Sequence, residues 1–178
     1  MLIGIAFKKK AHDYGWWDKI KSKAVQIWTG SEYFHSEFII GDYWVSANTS
    51  GIEIHALRPL SWMYDYFFIE VDISEDHCDK IIRFIEQQSG AKYDWAGIWM
   101  SQFLNIGVNR SDKWFCSELC TKLMQLCLVE ETFMLQSHKI DPGELFRLLE
   151  GMVDQKRVDF LIGETAQERL ERGVFEKC

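Results

Sequence analysis

Cys116 sits where a thiol could act as a nucleophile. It lies in Trp114-Phe115-Cys116-Ser117-Glu118-Leu119-Cys120, behind the polar, turn-like run Asn109-Arg110-Ser111-Asp112-Lys113. Leu119, Leu123, Leu126 and Cys127 then recur at helical spacing, which predicts a buried helix beginning at the cysteine. A thiol at a helix N-terminus meets unpaired backbone N–H groups and the positive end of the dipole, and both favour the thiolate. Core packing is the commoner use of a cysteine with apolar neighbours. The chemistry therefore depends on whether another part of the chain supplies a base, and on a group that orients that base.

Five histidines are available. His12 lies in a charged turn, His77 in the first turn of a helix and His138 in a polar loop, and all three read as ordinary surface residues. His55 ends a strand near Pro59 and is open to either use. His35 differs because it opens His35-Ser36-Glu37-Phe38-Ile39-Ile40, followed by Gly41-Asp42 and Tyr43-Trp44-Val45-Ser46-Ala47-Asn48. A two-residue Gly-Asp turn predicts a hairpin in which Ile40 pairs with Tyr43. Counting outward sets Glu37 opposite Ser46 and His35 opposite Asn48. Strand alternation then places all four polar residues on one face, where they could orient an imidazole.

Other chemistries lack their signatures. Cys116 and Cys120 are one helical turn apart, but there is no second Cys-x-x-Cys pair and no His-Glu-x-x-His. No metal and no cofactor are expected. Cys78, Cys120 and Cys127 read as core filling. The chain carries no Gly-x-Ser-x-Gly elbow, phosphate loop or dinucleotide fingerprint.

The 178 residues, 47% of them hydrophobic with only two prolines, suit a globular chain with a sizeable core. No apolar run of membrane-spanning length occurs, and Met1 to Phe7 reads as a buried strand and not as a signal peptide. Five cysteines without framework spacing, and no export signal, predict reduced thiols in a cytoplasm. The net charge of −7 argues against general nucleic-acid binding. Charge is uneven: residues 1–30 hold six lysines against Asp13 and Asp18, a balance of +4, which leaves −11 for the remainder.

The positioning elements follow in order. Trp16 to Trp28 reads as an amphipathic helix with Trp17, Ile20, Ala24, Ile27 and Trp28 on one side, ended by Thr29-Gly30-Ser31. Core packing is the expected use of that side, and contact with a lipid surface is the alternative. Strands are expected at Ile52 to His55 and at Tyr66 to Ile73. A helix starts at Ser74 with Ile81, Ile82, Phe84 and Ile85 as its buried stripe and Gly90 past its end. An apolar, helical stretch runs to about Leu104. Asp141-Pro142-Gly143-Glu144 reads as a capping box that opens a helix to about Glu150. A last strand at Val158 to Ile162 and an exposed charged helix at Glu164 to Arg172 complete the chain.

Taken together, these pieces resemble the permuted papain-like group of the NlpC/p60 superfamily, which also contains the lecithin:retinol acyltransferase-like enzymes. The His35 strand comes first, then Val45-Ser46-Ala47-Asn48 and Gly51-Ile52-Glu53-Ile54. The Gly90-Ala91-Lys92-Tyr93-Asp94-Trp95-Ala96-Gly97 segment follows, and Phe115-Cys116-Ser117-Glu118-Leu119 comes last. His preceding Cys is the permuted order. The resemblance covers roughly residues 1–150, treated as one domain, with 151–178 as an extension packed on it. It implies an α+β, circularly permuted papain-like fold: an antiparallel sheet or partial barrel packed against helices, with the nucleophile at a helix N-terminus.

The resemblance also implies roles. Cys116 would be the nucleophile, His35 its base, and Tyr93 a helper at the oxyanion site. The residue that orients the histidine falls at Ser46, where permuted members often carry Glu. Glu37 or Asn48, on the same face by the hairpin count, could substitute, and by electrostatics Glu37 is the stronger candidate for that role. The implied activity is a cysteine hydrolase acting on an amide, ester or thioester, with a peptide, isopeptide or lipid/acyl substrate. A binding or virion structural module with weakened catalysis is one alternative, favoured by Ser46, and an acyltransferase is another. The family has many members encoded by bacteriophages and other viruses, which leaves virion association as a second location.

Overall fold

The computed structural model describes residues 1–9, 15–48, 51–56, 61, 63–88, 92–93, 113–155 and 158–162. It is an α+β structure built on a six-stranded antiparallel sheet. The strands are β1 (Leu2–Lys8), β2 (His35–Ile40), β3 (Tyr43–Asn48), β4 (Gly51–Ala56), β5 (Tyr64–Glu70) and β8 (Val158–Ile162), in the order β4-β3-β2-β1-β5-β8. Two short strands, β6 (Lys92–Tyr93) and β7 (Lys113–Trp114), pair in parallel apart from it. The helices are α1 (Trp16–Thr29), α2 (Glu75–Gln88), α3 (Cys116–Leu126) and α4 (Pro142–Asp154).

β1 and β2 are the inner strands and are buried at every position, including the polar Lys8, His35, Ser36 and Glu37. On one face Ile5, Phe7, Phe38, Ile40, Val45 and Phe67 meet Ile81 and Ile85 of α2, Leu119 and Leu123 of α3, and Leu145 and Leu149 of α4. The other face carries an aromatic layer of Trp44, Tyr64, Tyr66 and Phe68 with Ile39 and Ala6. Full burial of such side chains stabilises by about 1.5–3 kcal/mol each.

The β2–β3 hairpin has the register counted from its turn. Ile40 pairs with Tyr43 and Glu37 with Ser46, and Gly41 adopts the left-handed φ of 54° that the two-residue turn requires. His35 pairs on its other side with Lys8 of β1. Helix α2 begins after Ser74, whose Oγ accepts from the His77 N–H. Helix α4 carries the full capping box between Asp141 and Glu144 and runs to Asp154, one turn past the expected end. Strand β8 pairs with β5 and forms an edge of the sheet.

Several expectations are corrected. Strand β5 spans Tyr64–Glu70 rather than Tyr66 to Ile73, because β1 begins at Leu2, opposite Glu70, and offers no ladder partner beyond Met1. Met1 and Val71 close the end by exchanging backbone hydrogen bonds. Helix α1 does not bury the described residues of its apolar side. Trp16, Ile20 and Ile27 are exposed, while Ser22 is buried and Gln26 donates to the backbone carbonyls of Lys9 and Glu32. His77 is not a plain surface residue, since its Nε2 lies 2.7 Å from the Leu126 carbonyl and ties α2 to the end of α3. Cys116, Cys120 and Cys127 are free, buried thiols, and Cys78 is buried in the core. The stretch expected to be helical up to Leu104 and the helix expected at Glu164 to Arg172 lie outside the described residues.

Among the described residues no helix is long and apolar enough to cross a membrane.

Candidate active site

Helix α3 opens at Cys116, directly after Phe115 in extended conformation at φ −112° and ψ 161°. No side chain caps this end, so the N–H groups of the first turn are left to serve the thiol and whatever approaches it. The helix is locked in place from both sides. Leu119, Cys120, Leu123 and Met124 are buried in the core, and Ser117 Oγ donates to the Ile140 carbonyl at 2.6 Å. Thr121 Oγ1 donates to the Ser117 carbonyl at 2.8 Å, which satisfies its buried hydroxyl within the helix.

The start of β2 packs against this helix end. There the His35 ring and the Cys116 sulfur are near enough for each to shift the ionisation of the other, and Ser36 also bears on that sulfur. Ser36 Oγ is buried with no hydrogen-bond partner among the described residues. Strand alternation explains the division of labour. Ser36 shares a face with Phe38 and Ile40, toward α3, while His35 and Glu37 share the other face with Ile39.

The second ring nitrogen of His35 is held from behind. Its Nε2 lies 3.2 Å from Ser46 Oγ and 3.3 Å from Glu37 Oε1. Ser46 Oγ donates to the same Glu37 oxygen at 3.0 Å, and Trp44 Nε1 donates to the other, Oε2. Glu37 is therefore a buried carboxylate with three donors around it, the condition under which such a charge is tolerated. An imidazole whose Nε2 is engaged in this way keeps Nδ1 for another partner.

The electrostatics follow from this geometry. Burial opposes ionisation of Cys116, yet the charge of His35 and the hydrogen bonds from His35 and Ser36 outweigh it and hold the thiol below its usual value. Burial likewise opposes protonation of His35, but the Cys116 thiolate and the Glu37 carboxylate outweigh it and raise the imidazole well above its usual value. Both shifts favour the thiolate–imidazolium form of the pair. One turn along the helix, burial pushes the Cys120 thiol up, as do the charges of Cys116 and Glu37. Cys127 is pushed up to about 12 by burial.

The structure brings together four of the five residues singled out from the sequence: Cys116, His35, Glu37 and Ser46. The fifth, Tyr93, has its backbone in β6, paired with Trp114 two residues before the cysteine. Its side chain lies outside what is described, as do the flanking residues 94–97. Trp44 and Ser36 were not anticipated. Trp44 could have been found by carrying the hairpin count one step inward, since it lies two residues from Ser46 and faces the same way. His55 is on β4 with its Nε2 3.2 Å from Glu53, both well exposed, and takes no part in the cluster.

Among the described residues, no group of three or more His, Cys, Asp or Glu could hold a metal ion. No family model matches the chain, and no curated protein matches it.

Proposed function

We propose that this protein is a cysteine hydrolase of the permuted papain-like, NlpC/p60 kind, cleaving an amide, ester or thioester bond through an acyl-enzyme on Cys116. The observation that carries the reading is the relay from the Cys116 sulfur through His35 to Ser46 and Glu37. A buried thiol that only filled space would have no need of an imidazole held by a buried carboxylate. The order His before Cys, and the α+β fold with the thiol opening a helix, agree with the same kind.

In this reading the Cys116 thiolate attacks the substrate carbonyl. Backbone N–H groups at the start of α3 face the negative charge that develops on the carbonyl oxygen. The His35 imidazolium gives its Nδ1 proton to the leaving amine or alkoxide, and a thioester remains on Sγ. Neutral His35 then takes a proton from water, the resulting hydroxide displaces the thiolate, and the ion pair is restored. Glu37 holds the ring and offsets its positive charge, while Ser46 bridges the two. The reading as a weakly catalytic binding or virion module rested on a serine standing where a carboxylate is usual, and Glu37 supplies that carboxylate from the neighbouring strand.

The test is turnover of acyl-p-nitrophenyl esters and of peptide amides by the wild type and by Cys116→Ala. Burst release of nitrophenol, with mass spectrometry showing acyl on Cys116, is the expected result. Absence of any adduct on Cys116 across both substrate classes would sink the proposal. Adding amine or alcohol acceptors to the same assay separates hydrolysis from acyl transfer.

A further inference from the structure

Helix α1 is docked the wrong way round for a core helix. At 3.6 residues per turn, Trp16, Ile27, Ile20 and Ala24 share one arc of about 80°. That arc faces outward: Trp16 is 64% exposed, Ile20 46% and Ile27 72%, with Ala24 exposed beside them. Lys19 and Lys23, both exposed, run along one edge of the stripe. The opposite side, with Ser22, Val25 and Gln26, faces the protein. Ser22 is buried, and Gln26 fastens the helix to the carbonyls of Lys9 and Glu32. Gly30 closes the helix in the left-handed region at φ 61°, and the Ser31 N–H donates to the Gln26 carbonyl at 3.2 Å.

We infer that α1 is an interfacial helix that lays its Trp16–Ile20–Ile27 stripe into the surface of an anionic phospholipid bilayer. An apolar stripe edged by lysines fits the boundary between acyl chains and negatively charged headgroups. The charge distribution selects this occupant. Residues 16–29 carry Lys19, Lys21 and Lys23 against Asp18, a balance of +2, which leaves −9 for the rest of the chain, so an anionic surface attracts α1 and repels the remainder. The helix is anchored by hydrogen bonds made through the side opposite the stripe, so presenting the stripe to lipid requires no rearrangement of the core. This inference does not depend on the chemistry of Cys116.

The experiment is co-sedimentation of the full chain with vesicles of phosphatidylcholine alone and of phosphatidylcholine with phosphatidylglycerol. Binding to the anionic vesicles, weakened by salt, is expected. Ile20→Ser combined with Ile27→Ser should reduce partitioning by about tenfold or more, and Lys19→Glu combined with Lys23→Glu should remove the anionic preference. Cys116→Ala should bind as the wild type does, so loss of catalysis and loss of lipid binding are read separately. Ile27→Asn alone serves if the double variant fails to fold. No binding to anionic vesicles, or binding indifferent to the stripe, overturns the inference. So does a dimer in solution that the stripe variants dissolve while vesicle binding stays unchanged.

Discussion

Oε1 of Glu37 lies 3.3 Å from Nε2 of His35, and the Ser46 hydroxyl closes the triangle at 3.2 Å from the imidazole and 3.0 Å from the carboxylate. The two residues that sequence reasoning set against each other as the group orienting His35 are thus parts of one arrangement. The carboxylate supplies charge, and the serine supplies a bridge of fixed direction.

Their contributions should separate by substitution. Glu37→Gln removes the charge and should lower kcat/KM by about 100-fold or more, the range over which a positioned acid–base acts. Ser46→Ala leaves the direct contact and should cost about tenfold. Steady-state kinetics on an activated ester measures both, and a larger loss from Ser46→Ala than from Glu37→Gln would reverse the assignment.

Trp44→Phe keeps an aromatic ring but deletes the N–H that serves Glu37 Oε2. A buried carboxylate oxygen losing its donor should cost about 1–3 kcal/mol of stability. Chemical denaturation compares it with Tyr64→Phe, an aromatic neighbour in the same layer. Equal losses would mean that Trp44 acts by packing alone.

Thiol reactivity should single out Cys116. Its lowered value makes it the most readily ionised of these thiols, while burial raises Cys120 and Cys127. Iodoacetamide followed by peptide mapping should label Cys116 first in the native protein. His35→Ala removes the counter-charge, so the rate at pH 6 should fall toward that of an ordinary thiol.

The pH profile follows from the same pair. On the acid side, activity appears as pH rises through the depressed value of Cys116 and the thiolate forms. On the alkaline side, the imidazolium persists until pH passes the raised value of His35, about 10. Glu37→Gln withdraws one of the causes of that rise, so the alkaline limb should move to lower pH while the acid limb moves less. An alkaline limb that stays in place would show that Glu37 does not stabilise the imidazolium.

Gly143 tests how α4 holds the approach to β2. A Cβ there would stand 2.7 Å from the Ser31 Cβ, closer than packed carbons allow. Gly143→Ala should destabilise by about 1–3 kcal/mol, and adding Ser31→Gly should restore much of the loss. Thermal melts of the single and double variants measure it.

The sequence alone determined whatever depends on neighbours in the chain. The Gly41-Asp42 turn fixed the hairpin register, because a two-residue loop allows one pairing and a slip would turn every side chain to the wrong face. Glu37 and Ser46 were opposite each other for that reason. The Asp141–Glu144 capping box and the helix opening at Cys116 were equally local, set by hydrogen bonds within one turn. The tertiary structure decided what joins distant segments. It brought Cys116 to His35, chose Trp44 as the second donor to Glu37, and set which side of α1 faces out. Periodicity shows that a helix has an apolar side, but the partners that anchor the helix decide where that side points. Here the anchor is Gln26 on the carbonyls of Lys9 and Glu32, a contact that no local pattern encodes.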